Sequence, residues 1–212
     1  MKRIILIVLV LIIVVGAGVV LAVSMSPTKE LNVTMNESPN KPVILIVIDS
    51  LMNEPLQKAI QENKAPALSF LINNGYLESE VISSYPTMSV TIDSTLLTGT
   101  YANEHKIPGL IWFKEDENRM ISYGSGISEM WHNGIKNVAY DSIIRLNNEH
   151  LSNNVQTMHE QLATHDIQSA SINGLLYRGS VEHHLHVPKL ISTTNLLPKE
   201  IITNGPILLS LG

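Results

Sequence analysis

Residues 41–50 read KPVILIVIDS. Val43 to Ile48 form an unbroken apolar run rich in β-branched side chains, the pattern of a strand buried on both faces of a parallel sheet. The run ends in Asp49, at the strand edge where open α/β sheets place their ligands. A simple helix cap is the plain alternative for the same carboxylate.

Downstream the pattern alternates. Residues 56–61 have weak helical character. APALSFLINNG (65–75) places Pro66 at a helix start, Leu68, Leu71 and Ile72 on one face and Gly75 as a stop. YLESEVISSY (76–85) reads as a half-buried strand, and KNVAYDSI (136–143) and IQSASING (167–174) read as further strands. NNVQTMHEQLATH (153–165) reads as an amphipathic helix between them. Alternation of this kind predicts an α/β layered sheet with helices on both faces.

Upstream, Lys2 and Arg3 precede an uncharged run from Ile4 to Val23, long enough as a helix to cross a hydrocarbon layer of about 30 Å. Residues 1–24 therefore read as a transmembrane signal anchor. Ala22-Val23-Ser24 offers a cleavage site for the alternative of a secreted product. Positive charge before the span predicts a cytoplasmic amino terminus and an extracytoplasmic remainder. Residues 25–41, with Pro27, Pro39 and several Asn and Ser, read as a polar tether. Asn32 and Asn36 begin N-x-S/T sequons there, a pattern that chance also supplies. The domain proper is residues 42–212.

Composition narrows the function. A net charge of −5 with 14 Lys and Arg leaves no basic footprint for nucleic acid, so no nucleic-acid binding is expected. Cysteine is absent, which excludes disulfides and thiolate metal sites and leaves His and carboxylates as ligands.

The stretch YPTMSVTIDSTLLTG (85–99) is crowded with hydroxyls. Pro86 breaks the preceding strand, Ser89 suits an N-cap, Val90 to Leu97 make two helical turns, and Gly99 suits a left-handed stop. A hydroxyl at a helix amino terminus shares its free N–H groups with a bound anion, so Ser89 is a candidate nucleophile toward phosphate. A polar N-cap without chemistry is the commoner role for such a residue. Thr87 is the alternative. Thr91 and Ser94 fall deeper in the helix, where a hydroxyl cannot share those N–H groups.

Taken together, VILIVIDS (43–50), APALSFLINNGYLES (65–79) and SYPTMSVTIDSTLLTGTYANEHKIPG (84–109) resemble the opening of the alkaline phosphatase superfamily, in particular its type I phosphodiesterase and nucleotide pyrophosphatase branch. The resemblance implies that Asp49 is a metal ligand. It also implies that the nucleophile, itself a ligand, lies nine residues before the Thr of the TG pair; counting back from Thr98 gives Ser89. It further implies two divalent cations, with zinc the expected metal, and hydrolysis of a phosphodiester or nucleotide through a phospho-enzyme. Two departures stand out: HKIPGLIW (105–112) replaces the usual HGI, and the Asn that commonly follows is missing. A sulfatase or phosphoglycerol transferase relative is disfavoured, since the chain has neither Cys nor an SxPxR-like run.

The remaining ligands that the family implies are an Asp followed four residues later by His, an adjacent Asp-His pair and a further His. Four residues beyond Asp49, Asp93, Asp116, Asp141 and Asp166 stand Asn53, Leu97, Met120, Arg145 and Ala170, and no Asp is followed directly by His. The chain also ends in the apolar run GPILLSLG, which would leave a sheet edge unpaired. Both features predict the amino-terminal portion of a catalytic domain, catalytically incomplete as it stands. A non-catalytic anchored module is the rival. His183, His184 and His186 invite a zinc reading, with His184 and His186 on one strand face, but surface or pocket roles compete with it. Trp112, Phe113 and Trp131 are candidates for a leaving-group pocket or for plain packing.

Overall fold

The computed structural model describes residues 41–124 and 126–211. The anchor, the tether and both sequons lie outside the described residues. Among the described residues, no helix is long and apolar enough to cross a membrane.

Helices and strands are mixed along the chain, an α/β composition. The helices α1 (Asn53–Gln61), α2 (Pro66–Asn74), α3 (Ser89–Thr98) and α4 (Ala102–His105) come first, followed by the strands β1 (Ile111–Lys114) and β2 (Arg119–Ser122). Next are α5 (Ile127–Asn133), α6 (Ile135–Tyr140), a wide π-type helix (Asp141–His150) and α7 (Met158–Thr164). The chain then runs through β3 (Ala170–Ile172), β4 (Val181–His186), α8 (Lys189–Ser192), β5 (Glu200–Gly205) and β6 (Leu208–Ser210). The strands pair as β1-β2 antiparallel, β4-β5 antiparallel and β3-β6 parallel. A single layered sheet is not formed by these pairs.

Three expected strands need correction. Residues 41–48 adopt no strand, and Val43 and Ile44 are 93% and 81% exposed. A run buried on both faces needs neighbours at both edges, and the described chain sets none beside it. Residues 76–85 also form no strand, with Val81 and Ile82 exposed. Residues 136–143 are helical rather than extended: the helix Ile135–Tyr140 runs on into the π-helix, which buries Asp141, Leu146, Asn147 and His150 and closes with the i→i+5 bond from Leu151 N–H to Leu146 O at 3.0 Å. The terminal apolar run does find a partner, Leu208–Ser210 pairing with Ala170–Ile172.

The helices stand where their local signals put them. Pro66 opens α2. Thr157 and Glu160 form a reciprocal capping box at α7, Glu160 N–H donating to Thr157 Oγ1 at 3.1 Å and Thr157 N–H to Glu160 Oε2 at 2.7 Å. Gly99 ends α3 at φ 68°, the left-handed conformation that glycine adopts without steric cost.

Val90, Ile107, Ile121, Tyr123, Leu146, Leu151 and Leu176 pack into one core that joins α3, the β1-β2 hairpin and the π-helix. Asn147 and Asp141, buried beside it, are matched. Asn147 Oδ1 accepts from Tyr177 and Arg178 N–H at 2.8 and 3.1 Å, and its Nδ2 donates to Leu175 O at 3.0 Å. Asp141, 1% exposed, accepts from both Arg119 guanidinium nitrogens at 2.8 Å and from Arg145 at 2.8 Å. Burial pushes the Asp141 carboxyl upward, but the hydrogen bonds and charge of Arg119, with Arg145, outweigh it and hold the group below its ordinary 3.8.

That depressed pKa fixes a pH window. Asp141 contributes stability that is fully present above pH 3.8 and is lost as the carboxylate protonates at lower pH. Asp141→Asn leaves two cations facing a neutral amide and is expected to cost about 3–5 kcal/mol, the range for breaking a buried ion pair. Denaturant melts of both proteins at neutral pH measure it, and a loss below about 1 kcal/mol would place the pair with weak surface bridges.

Candidate active site

The site is built around α3. Its buried face consists of Val90, Thr91, Ser94 and Thr98, and two of those hydroxyls are spent on the helix itself: Ser94 Oγ donates to Val90 O at 2.7 Å and Thr98 Oγ1 to Ser94 O at 2.6 Å. Thr95 Oγ1, on the neighbouring half-buried position, donates to Thr91 O at 3.0 Å. It also meets Nε2 of His105 at 3.3 Å, while Nδ1 of that ring accepts Ile107 N–H at 3.1 Å. With Nδ1 accepting, Nε2 carries the proton and donates to Thr95. His105 is wholly buried, and burial pushes its pKa below the ordinary value. The motif histidine thus locks α4 onto α3.

This seating leaves the amino terminus of α3 at the surface. Ser89 is its first residue, one place inside Met88, and is half-buried. The first intrahelical bond runs from Ile92 N–H to Met88 O at 2.9 Å, so the N–H groups of Ser89, Val90 and Thr91 precede it and face outward from the helix end. Ser89 Oγ donates to Asp49 Oδ1 at 3.1 Å across 40 residues of chain. Asp49 follows the apolar run 43–48 in a turn with Ser50 at φ 58°.

Of the hydroxyls named from sequence, Ser89 meets Asp49. Thr87 lies exposed in the segment before α3, and Thr91 and Ser94 are fully buried. Asp93 was not singled out from sequence. It stands one turn along α3 from Ser89, and burial, then the Asp49 carboxylate, raise its carboxyl above 3.8. The available signal was the i, i+4 spacing from Ser89, which places both side chains on one helix face. Ser89, Asp49 and, one turn along the helix, Asp93 offer oxygen donors only.

The other sequence candidates lie elsewhere. His183 Nε2 bonds Pro206 O at 2.7 Å on one face of β4. His184, exposed on the other face, sits between Glu182 and Glu200 at 3.3 and 3.2 Å, and those carboxylates raise its pKa. His186 shares that face, 3.9 Å from Glu200. Trp112 packs edge-on against His150, whereas Phe113 and Trp131 are exposed. Surface hollows lined by Asn147, Arg178 and Thr203, and by Met158 and His165, include neither Asp49 nor Ser89. At the departure from HGI, Lys106 takes the glycine position at φ 67°.

The arrangement is a helix-start hydroxyl hydrogen-bonded to the carboxylate that follows the apolar run 43–48, in a chain of mixed helices and strands. The chain belongs to the type I phosphodiesterase/nucleotide pyrophosphatase family, whose family model matches residues 43–175, and through it to the alkaline phosphatase superfamily. No curated protein and no solved structure gives a significant match.

Two substitutions test this seating. Thr91 Oγ1 is buried without a hydrogen-bond partner, so Thr91→Val is expected to stabilise the fold by about 1 kcal/mol, read as a raised melting midpoint. Destabilisation would show that the hydroxyl has a partner in solution. Lys106→Gly is expected to add roughly 0.5–1 kcal/mol, since relief of the left-handed strain exceeds the entropy glycine adds to the unfolded chain. An unchanged or lowered midpoint would mean that the Lys106 Nζ bond to Asn103 O offsets the strain.

Proposed function

We propose that the chain is the Ser89-bearing portion of a membrane-anchored, extracytoplasmic, metal-dependent phosphohydrolase acting on phosphodiesters or nucleotides. The hydrogen bond from Ser89 Oγ to Asp49 Oδ1 carries this reading, because it joins the two residues that the family resemblance assigns to one site. In it, Ser89 Oγ attacks phosphorus, the bond to the leaving oxygen breaks, and water later hydrolyses the seryl phosphate. Asp49 Oδ1 holds the Ser89 proton and aims the hydroxyl. The N–H groups of Ser89, Val90 and Thr91 receive the phosphate oxygens.

Asp49 and Ser89 are the residues that would hold a cation here, with zinc the metal that the family resemblance implies. A bound divalent cation supplies positive charge that lowers the pKa of the attacking hydroxyl and offsets negative charge in the transition state. These 212 residues contain no Asp followed four places on by His and no Asp-His pair, so the ligand set for two cations is incomplete. That same observation favours the second reading, a non-catalytic anchored module.

Three measurements bear on the proposal. The chain alone, given zinc or manganese and a chromogenic phosphodiester, is expected to be inactive against a Ser89→Ala blank; Ser89-dependent turnover would show that the ligands are complete. In a form carrying the remaining ligands, Ser89→Ala should abolish turnover and Thr87→Ala should spare it. The reverse outcome moves the nucleophile to Thr87, and no turnover in that form supports the non-catalytic module. For topology, protease added outside intact cells should digest the region beyond Pro27, and full protection would refute the extracytoplasmic placement.

A further inference from the structure

A second cluster of metal-ligating side chains lies outside the Ser89 site, where the turn between β1 and β2 meets the end of the π-helix. Glu117 comes from the turn, and Glu149 and His150 are the last two residues of the helix. One ligand atom from each lies within 4.8 Å of the others.

Two carboxylates near an imidazole are common on surfaces, but His150 is not on the surface. Its side chain has no exposed area, and Nε2 is buried without a hydrogen-bond partner. That nitrogen faces Glu117 Oε1 from 3.6 Å, beyond hydrogen-bond reach. The other ring nitrogen, Nδ1, lies 2.8 Å from Tyr123 Oη. If Tyr123 accepts from Nδ1–H, the ring is fixed in the tautomer whose Nε2 lone pair points into the cluster, the arrangement by which a ligating histidine is oriented from behind. Trp112 packs edge-on against the same ring, its centroid 5.8 Å away, and limits the ring's freedom to turn.

We propose that Glu117, Glu149 and His150 form a divalent-cation site separate from the one at Asp49 and Ser89. One nitrogen and two carboxylate oxygens suit zinc, cobalt or manganese better than calcium. Charge at the site permits it. Arg119 and Arg145 are engaged by Asp141; Arg119 also holds Glu117 Oε2 at 2.6 Å, and Arg145 lies 3.8 Å from Glu149 Oε2, beyond hydrogen-bond reach, which leaves that carboxylate able to turn to a cation. Lys114 alone occupies Glu117 Oε1, at 2.8 Å, and its flexible stem swings outward when a cation takes its place. Glu149 is 53% exposed at the side chain and leaves an entry path from solvent. Such an ion pins the β1-β2 hairpin to the π-helix; its role is structural and does not depend on the reading of Ser89.

The test uses the full chain in detergent, stripped with chelator and titrated with zinc by calorimetry and with cobalt by visible absorption. Wild type and the Asp49→Asn, Ser89→Ala double variant are both expected to bind one equivalent at this site, with a d–d spectrum showing nitrogen ligation and a raised melting midpoint. Glu149→Gln and His150→Gln are each expected to weaken that binding at least about tenfold and to remove the shift in midpoint. Should His150→Gln fail to fold, Glu149→Gln decides alone, because its side chain is exposed and its loss leaves the core intact. Absence of binding in the wild type overturns the proposal. So does binding that survives Glu149→Gln unchanged, or that disappears in the Asp49→Asn, Ser89→Ala variant while Glu149→Gln retains it.

Discussion

Everything at the candidate active site depends on the way α3 is seated. A ten-residue helix whose buried face carries Thr91, Ser94 and Thr98 gains less from burial than an apolar helix of the same length, because each hydroxyl must be satisfied after leaving water. Ser94 and Thr98 meet that demand with their own backbone, and Thr95 meets it through Thr91 O and His105. Thr91 does not meet it. Val90 and the His105 lock compensate from either side, one through the core and one through α4. The helix is therefore fixed from Val90 onward, and its first residue, Ser89, stays half-exposed in front of that support. A nucleophile needs that combination of rigid support behind and access in front.

The second half of the chain is held by a different principle. Asn147 and Arg178 take up backbone groups of irregular segments that no helix or strand satisfies: Asn147 serves residues 175–178, and Arg178 donates to the carbonyls of Leu151, Ser152 and Val155. Arg178 is itself neutralised by Glu160 at 3.0 Å, and Glu160 caps α7. One carboxylate thus starts a helix and holds the cation that closes the loop before it. Gly179 belongs to the same region, where its backbone runs so close to Gly205 that a Cβ would collide with it.

Local chemistry was legible in the sequence wherever it alone decides structure. Pro66 and Gly99 place helix ends whatever surrounds them, and the hydroxyl-rich run marks α3 to within one residue. Pairing was not legible. The alternation in residues 136–143 suits a strand as well as a helix over so short a window, and the buried Asp141 that decides for the helix depends on Arg119, far off in sequence. At the site, Ser89 and Asp49 could be named because each carries a local signal. Asp93 carries only its spacing from Ser89 as a signal, because the influence of the Asp49 carboxylate on it arises only in the folded chain.

The exposed run 43–48 bears directly on the chemistry of Asp49. Six apolar side chains, from 48% to 93% exposed, forgo on the order of 1.5–3 kcal/mol each relative to full burial, so any surface that covers them is strongly favoured. Covering them also removes water from the base of Asp49. The repulsion already felt between Asp49 and Asp93 then rises, because the same two charges interact through a lower dielectric. A cation held between them would relieve that repulsion and would also raise the acidity of a hydroxyl beside it. Cover over the run 43–48 would therefore raise the electrostatic demand that a cation beside Ser89 would meet.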